Sequence, residues 1–231
     1  MLVLWDIDHT LLQSRGMGRE MYERAFPEAF GRPFQQLADV SGRTELDIIA
    51  ETLKLHGIEP TNLATEKLAD ALVRSYESAR QEFAERGRVL PGAREALAEL
   101  ATEPTVLQGV LTGNLRAVAQ VKLAALGLDQ FLDLEAGSYG DDHADRAELV
   151  AIAMERAKNR ASTQFGKDVT VLIGDTPRDV AAGRAAKVRV IAVASGQSTV
   201  EELTSAGPDA VLPDLRDTAA LRGLIERYQF S

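Results

Sequence analysis

Near its start the chain carries Leu2-Val3-Leu4-Trp5, four apolar residues that run without a break into Asp6-Ile7-Asp8-His9-Thr10. An unbroken apolar run of this kind fits a strand buried on both faces, the setting of a parallel sheet. Carboxylates at the carboxyl end of such a strand lie where open α/β sheets bind ligands. Side chains at i and i+2 of an extended chain point the same way, so Asp6 and Asp8 start as two like charges on one side. Holding them there calls for a cation or a shared proton. Read alone, the same residues also fit a capped turn, since Asp and Thr are good turn and N-cap residues.

The rest of the chain divides by pattern. From about Gly16 to Gly87 the signal is helical. Arg19–Phe30 reads as one helix with Met17, Met21 and Ala25 on a face, and Val40-Ser41-Gly42-Arg43-Thr44 breaks the pattern. Glu45–Leu55 reads as a second helix, with Leu46, Ile49 and Leu53 at helical spacing. A third and longest helix follows Pro60, with Leu68, Leu72, Tyr76, Ala79 and Phe83 as its stripe down to Gly87. At Leu90-Pro91-Gly92 the character changes, and β-rich runs begin to alternate with helices. Strands are expected at 105–111, near 132–136, at 169–173, 188–194 and 210–212. The intervening helices are expected at 93–102, 115–126, 146–160, 179–186, 199–206 and 218–228. Such alternation implies βαβ units with right-handed crossovers. The fold class is therefore α/β, a Rossmann-like parallel sheet core formed by 1–14 and 90–231, with an inserted α-helical cap domain at 15–89. An insert leaving beside the carboxyl end of a strand sits over the ligand crevice and can act as a lid.

Three further strand ends carry chemistry. Thr112-Gly113-Asn114 precedes a helix, where a hydroxyl and free backbone N–H groups suit an anion; ordinary N-capping explains the same residues. Gly174-Asp175-Thr176-Pro177-Arg178-Asp179 puts Pro177 in a first helical turn and Asp175 at a strand end. Oxygen ligands of this type suit Mg²⁺, which takes one or two carboxylates plus phosphate oxygens. A cation is needed where carboxylates and a phosphate meet. Arg146, opening a helix after Gly140-Asp141-Asp142-His143-Ala144-Asp145, is the candidate. Lys122 lies far along its helix, about 12–15 Å from the helix start, and is assigned to packing or surface.

Composition excludes several classes. With no cysteine, thiolate zinc sites, disulfides and cysteine nucleophiles are ruled out. The net charge of −9, without a basic stripe, argues against nucleic-acid or anionic-membrane partners. The N-terminal apolar run is too short for a signal peptide, and no run approaches the roughly 18 apolar residues of a spanning helix. A cytoplasmic location is the expectation, as monomer or homodimer.

Asp6-x-Asp8-x-Thr10, Thr112-Gly113-Asn114 and Gly174-Asp175-Thr176-Pro177-x-Asp179, in this order at strand ends, resemble the haloacid dehalogenase-like hydrolase superfamily. The helical insert resembles that family's cap in its phosphoglycolate phosphatase and β-phosphoglucomutase branch. The resemblance implies that Asp6 is the nucleophile and Asp8 the general acid and base; the neighbouring Asp6 anion is expected to raise the Asp8 pKa, which suits a proton donor. It implies that Thr112, with Gly113 and Asn114, holds phosphate. Asp6, the Asp8 main-chain carbonyl and Asp175 would bind Mg²⁺, and Asp179 would support that shell. Two positions depart from the family pattern. His9 stands where Gly is usual, which is expected to restrict the loop, and Arg146 stands for the usual Lys. Arg43, in the loop before the second helix, is a candidate substrate contact.

The leading expectation is a Mg²⁺-dependent phosphatase acting on a small phosphorylated metabolite. A phosphosugar mutase shares the same residues, and a catalytically silent binding module shares the fold. Dehalogenases of the family resemble the chain less, because they lack the second Asp.

Overall fold

The computed structural model describes residues 1–229. Its first element is β1, Leu2–Trp5, whose four side chains are buried. Leu2 and Leu4 join one apolar cluster with Leu149, Val150 and Leu172, while Val3 and Trp5 join another with Ala93, Leu97 and Val118. Alternate side chains thus enter opposite faces, and both faces are covered, which is why the run shows no polar interruption.

The remaining elements follow in order. A two-residue strand β2 (Leu12–Gln13) leads to helices α1 (Met17–Phe30), α2 (Glu45–Leu55), α3 (Asn62–Ser78) and α4 (Arg80–Arg86), then to a short strand β3 (Arg88–Val89). Next come α5 (Ala93–Ala101), β4 (Leu107–Val110), α6 (Arg116–Ala125) and α7 (Arg146–Ala161). The chain continues through β5 (Thr170–Gly174), α8 (Pro177–Ala186), β6 (Arg189–Val193), α9 (Val200–Ala206), β7 (Ala210–Leu212) and α10 (Thr218–Gln229). Among these, five strands form one parallel sheet in the order β4-β1-β5-β6-β7. The order reverses beside β1, with β4 on one side and β5 on the other, so a crevice opens at the carboxyl ends of these three strands.

Helices α1–α4 stand between β2 and β3, which pair antiparallel through Leu12↔Val89 and Gln13↔Arg88. This small ribbon holds together the two points where the chain leaves the sheet and returns to it. Helices α3 and α4 pack on α6.

Two sequence expectations need correction. The segment 132–136 is not a strand: 3₁₀ turns occupy Asp129–Phe131 and Leu134–Ala136. The Asp133 carboxylate accepts the Glu135 N–H and so caps the second turn, and the Tyr139 hydroxyl donates to the Leu134 carbonyl. These local bonds compete with a ladder, and a single bridge, Leu111↔Ser138, remains. The expected long helix after Pro60 is broken at Ala79 into α3 and α4. Tyr76, Ala79 and Phe83 stay buried across the break, so the apolar stripe carries no sign of it. At the break the Ser78 hydroxyl donates to the Ser75 carbonyl, which also accepts the Ala79 N–H.

Candidate active site

Asp6, Asp175, Arg146 and Asp179, at the mouth of the crevice, are each placed by a strand end or a helix start. Asp6 follows β1 directly, and its N–H donates to the Ile173 carbonyl of β5. The residue is only 6% exposed. Arg146 Nη2 donates to Asp6 Oδ1 at 2.7 Å and to Asp179 Oδ1 at 2.5 Å. Arg146 is the first residue of α7, whose N-cap Asp145 accepts the Ala147 N–H. The cation anticipated from sequence therefore reaches the crevice. It uses one nitrogen for both carboxylates, and its buried Nε has no hydrogen-bond partner.

Asp175 follows β5. The Thr10 hydroxyl lies 3.2 Å from both Asp6 Oδ2 and Asp175 Oδ1. Asp179 is in the first turn of α8, where Thr176 and Asp179 form a reciprocal capping box. Its Oδ2 accepts the Thr176 N–H and hydroxyl, and its Oδ1 accepts Arg146. Gly174 makes this possible, since a Cβ there would stand 2.4 Å from Asp179 Cγ.

Asp6, Asp175 and Asp179 offer carboxylate oxygens within 4.8 Å of one another. This hard oxygen donor set fits Mg²⁺. Asp179 takes three donors on its two oxygens, Asp6 takes Arg146 on Oδ1 and shares the single Thr10 proton on Oδ2, and Asp175 has only that shared proton on Oδ1, so Asp175 and then Asp6 are the freer donors. The electrostatics agree: burial pushes the Asp6 carboxyl above its ordinary value despite Arg146, and Asp179 and Asp8 add to the rise. Burial likewise raises Asp175, and repulsion from Asp6 and Asp179 raises it further. A divalent cation would relieve that excess of negative charge.

Asp8 differs from expectation. Its Oδ2 accepts from Asn114 Nδ2 and from Lys122 Nζ, both at 2.7 Å, and its Oδ1 accepts from Ser14 Oγ at 2.9 Å. Burial works to raise its pKa, but the Lys122 charge and these three donors outweigh burial and hold it below the usual carboxylate value. The raised pKa expected from the neighbouring Asp6 is therefore overturned, because Asp8 turns to a cation of its own.

That cation, Lys122, corrects the sequence reading that left it as packing or surface. It is 4% exposed, bonds Asp8 and Asn114, and lies over the Tyr76 ring. Distance along the helix was a poor guide, because a lysine stem spans several ångströms and leans toward the helix N-terminus. A signal was present in the sequence. Leu115, Val118, Ala119 and Lys122 lie at i, i+3, i+4 and i+7, and all are buried, so the lysine sits on an apolar face.

Thr112 is fully buried, and its Oγ accepts from Asn114 N–H and Nδ2. Gly113 lies so close to the 43–45 segment that a Cβ would stand 2.1 Å from the Arg43 carbonyl. The Glu45 N–H donates to the Gly113 carbonyl at 2.7 Å. The loop before α2 is thereby seated on the loop after β4. Arg43 lines the cavity, but its guanidinium bonds Asp47 Oδ2 and the Asp39 and Asp47 carbonyls. His9 adopts φ 65°, the left-handed region that the usual Gly would enter freely. Its carbonyl accepts the Ser195 hydroxyl and its N–H bonds the Leu12 carbonyl, which hold the turn in place.

These groups enclose a cavity of about 480 Å³ with the carboxylates and Arg146 on the sheet side and Tyr22, Glu45, Ile48 and Tyr76 on the helical side. The three last-named polar residues, Tyr22, Glu45 and Tyr76, were not singled out as site residues from sequence. They come from three different helices, and no local motif links them.

The family model for haloacid dehalogenase-like hydrolases matches residues 3–193. The chain belongs to this family. It is 24% identical over 227 residues to pyrophosphatase PpaX of Oceanobacillus iheyensis, covering 96% of each chain. It is 29% identical over 222 residues to a plasmid-encoded phosphoglycolate phosphatase of Cupriavidus necator, covering 95% of this chain and 91% of that one. A hydrolase from Pseudomonas syringae shares the fold with TM-score 0.70 and 24% identity, over 96% of this chain and 98% of the other. CbbY from Rhodobacter sphaeroides, solved with phosphate, matches with TM-score 0.68 and 19% identity, over 94% and 95%. No helix among the described residues is long and apolar enough to cross a membrane.

Proposed function

We propose that the chain is a Mg²⁺-dependent phosphatase that hydrolyses a small phosphorylated metabolite through a phosphoaspartate on Asp6, with 1–14 and 90–231 as its core and 15–89 as its cap. The observation that carries this reading is the convergence of Asp6, Asp175 and Asp179 on one buried cluster at the floor of the cavity. Relatives named pyrophosphatase and phosphoglycolate phosphatase support phosphoester or phosphoanhydride chemistry. Bound Mg²⁺, held by Asp6 and Asp175, would neutralise phosphoryl charge in the transition state.

In this reading the Asp6 carboxylate attacks phosphorus as the bond to the leaving oxygen breaks. Asp8, whose carboxyl Lys122 holds down, takes up a proton from the bound phosphate monoanion and passes it to that oxygen. Water then attacks the phosphoaspartate, its proton passes to Asp8, and Asp6 is released with inorganic phosphate. Splitting the reaction in two lets one fixed carboxylate do the work of a free nucleophile. Thr112 and the Thr112-Gly113-Asn114 loop bind phosphate oxygens. Arg146 orients Asp6 and carries positive charge beside it, and Asn114 and Lys122 position Asp8. The Arg43 side chain, tied to Asp47, contributes to the wall of the cavity.

The test is release of phosphate from p-nitrophenyl phosphate and a panel of phosphorylated metabolites, with Mg²⁺ and with EDTA. Activity should require Mg²⁺ and vanish in Asp6→Asn. Activity that persists in Asp6→Asn would assign the nucleophile elsewhere, and conversion of a sugar phosphate to its isomer without phosphate release would make the protein a mutase.

A further inference from the structure

The helical side of the cavity offers hydrogen-bond acceptors where the sheet side holds the phosphoryl chemistry. Glu45 is the first residue of α2, and its backbone bond to Gly113 fixes it against the phosphate loop rather than at the end of a mobile segment. The Tyr22 hydroxyl donates to Glu45 Oε1 at 2.5 Å and so has no proton left for a ligand. Among the described residues the Glu45 carboxylate has no other hydrogen-bond donor, although it lines the cavity. The cations nearby are already committed. Lys122 serves Asp8 and Asn114, Arg43 serves Asp47, and Arg19 bonds Glu23 and stacks over Phe34. Arg15 is exposed, where pairing is weakened by solvent and salt. An anionic group on the leaving side would therefore face Asp8 and Glu45 with no free buried cation to receive it.

We propose that Glu45 selects the leaving group. The subsite between Asp8 and Tyr22 takes a phosphoester whose leaving group carries a hydroxyl or ammonium donor, and it rejects one that carries a carboxylate. This rests on the phosphatase reading, and it separates the chain from the substrate in the name of its phosphoglycolate phosphatase relative. Glu45 is half-buried, and a leaving group seated against it closes it off from solvent; an acceptor so enclosed without a donor is costly, and a like-charge contact there more so, so discrimination by one such residue is large.

Three two-carbon esters that differ only at the far end test the proposal: 2-aminoethyl phosphate, 2-hydroxyethyl phosphate and phosphoglycolate, assayed with Mg²⁺. The wild-type kcat/KM for the first two should exceed that for phosphoglycolate by at least about tenfold. Glu45→Gln keeps the volume but adds an amide donor, and should bring the ratio to within about threefold. A structural role for the Tyr22–Glu45 pair would lower all three rates together and leave the ratio unchanged. An unchanged ratio, or phosphoglycolate as the fastest ester of the wild type, overturns the proposal. If Glu45→Gln does not fold, Tyr22→Phe leaves the carboxylate in place and should retain the wild-type order, with loss of that order counting against it. Absence of turnover of every ester and of p-nitrophenyl phosphate would instead remove the phosphatase reading. The subsite is then read separately from thermal shifts of the Asp6→Asn protein: a larger shift with 2-aminoethyl phosphate than with phosphoglycolate supports it, and the reverse order overturns it.

Discussion

Asp6 and Asp8 stand two residues apart, yet the fold gives them opposite surroundings. At the Asp6 corner three buried carboxylates, Asp6, Asp175 and Asp179, lie together with one guanidinium, that of Arg146, which bonds Asp6 and Asp179. At the Asp8 corner one carboxylate has its own ammonium, Lys122, plus the Asn114 amide and the Ser14 hydroxyl. The first corner carries surplus negative charge, and its carboxyls are pushed up. The second is balanced, and its carboxyl is pulled down. Surplus charge in a buried, oxygen-rich pocket marks where a divalent cation is stabilising, whereas a balanced pair has no such demand. The same residue type, in one short motif, is thus assigned two roles by what packs beside it.

Substitutions that unbalance each corner in turn can break this contrast. Asp6→Asn removes the nucleophile and should lower phosphate release about a thousandfold or more, with the far-ultraviolet circular dichroism unchanged. Residual turnover near wild type would end the argument for an unusual Asp6 corner. Arg146→Met comes next: it leaves two buried carboxylates unpaired, and urea unfolding should show a loss of about 3–5 kcal/mol. Arg146→Lys sharpens the same point. Because Arg146 acts through one nitrogen and leaves Nε without a partner, a point-charge ammonium should serve, and kcat/KM should stay within about tenfold of wild type. A loss of more than about a hundredfold in kcat/KM would show that the fork itself is needed.

Lys122→Met should cost less, about 2 kcal/mol by the same unfolding measurement, because Asn114 and Ser14 still bond Asp8 and its carboxylate is partly open to the cavity. A cost above that of Arg146→Met would reverse the ranking of the corners. The last two substitutions fall in the turn that follows Asp8. His9→Val places a β-branched residue at φ 65° and should cost about 1–3 kcal/mol. His9→Gly relieves the backbone but adds unfolded-state entropy, so its stability should change by less than about 1 kcal/mol.

Much of this molecule was open to reading from the chain alone. The uninterrupted Leu2–Trp5 run announced a strand covered on both faces, and the alternation after Pro91 announced the parallel sheet. Asp6, Asp175, Asp179 and Arg146 were legible because each lies at a strand end or in a first helical turn, where local pattern and position in the crevice coincide. Patterns of this kind are local, with a period of two or 3.6 residues or a cap at a helix start, and neighbouring residues enforce them directly.

The tertiary structure decided what depends on contacts between distant segments. It turned 132–136 into 3₁₀ turns through Asp133 and Tyr139, where strand periodicity alone had suggested a ladder. Lys122 reaches Asp8 across 114 positions of sequence, and the Tyr22–Glu45 pair joins two helices of the insert. The charge on a carboxylate follows from burial and from the groups packed around it, and those are properties of the folded core rather than of the motif. The sequence by itself therefore determined where the acids of the site stand, and packing alone determined which of them keeps a cation of its own and which is left short of one.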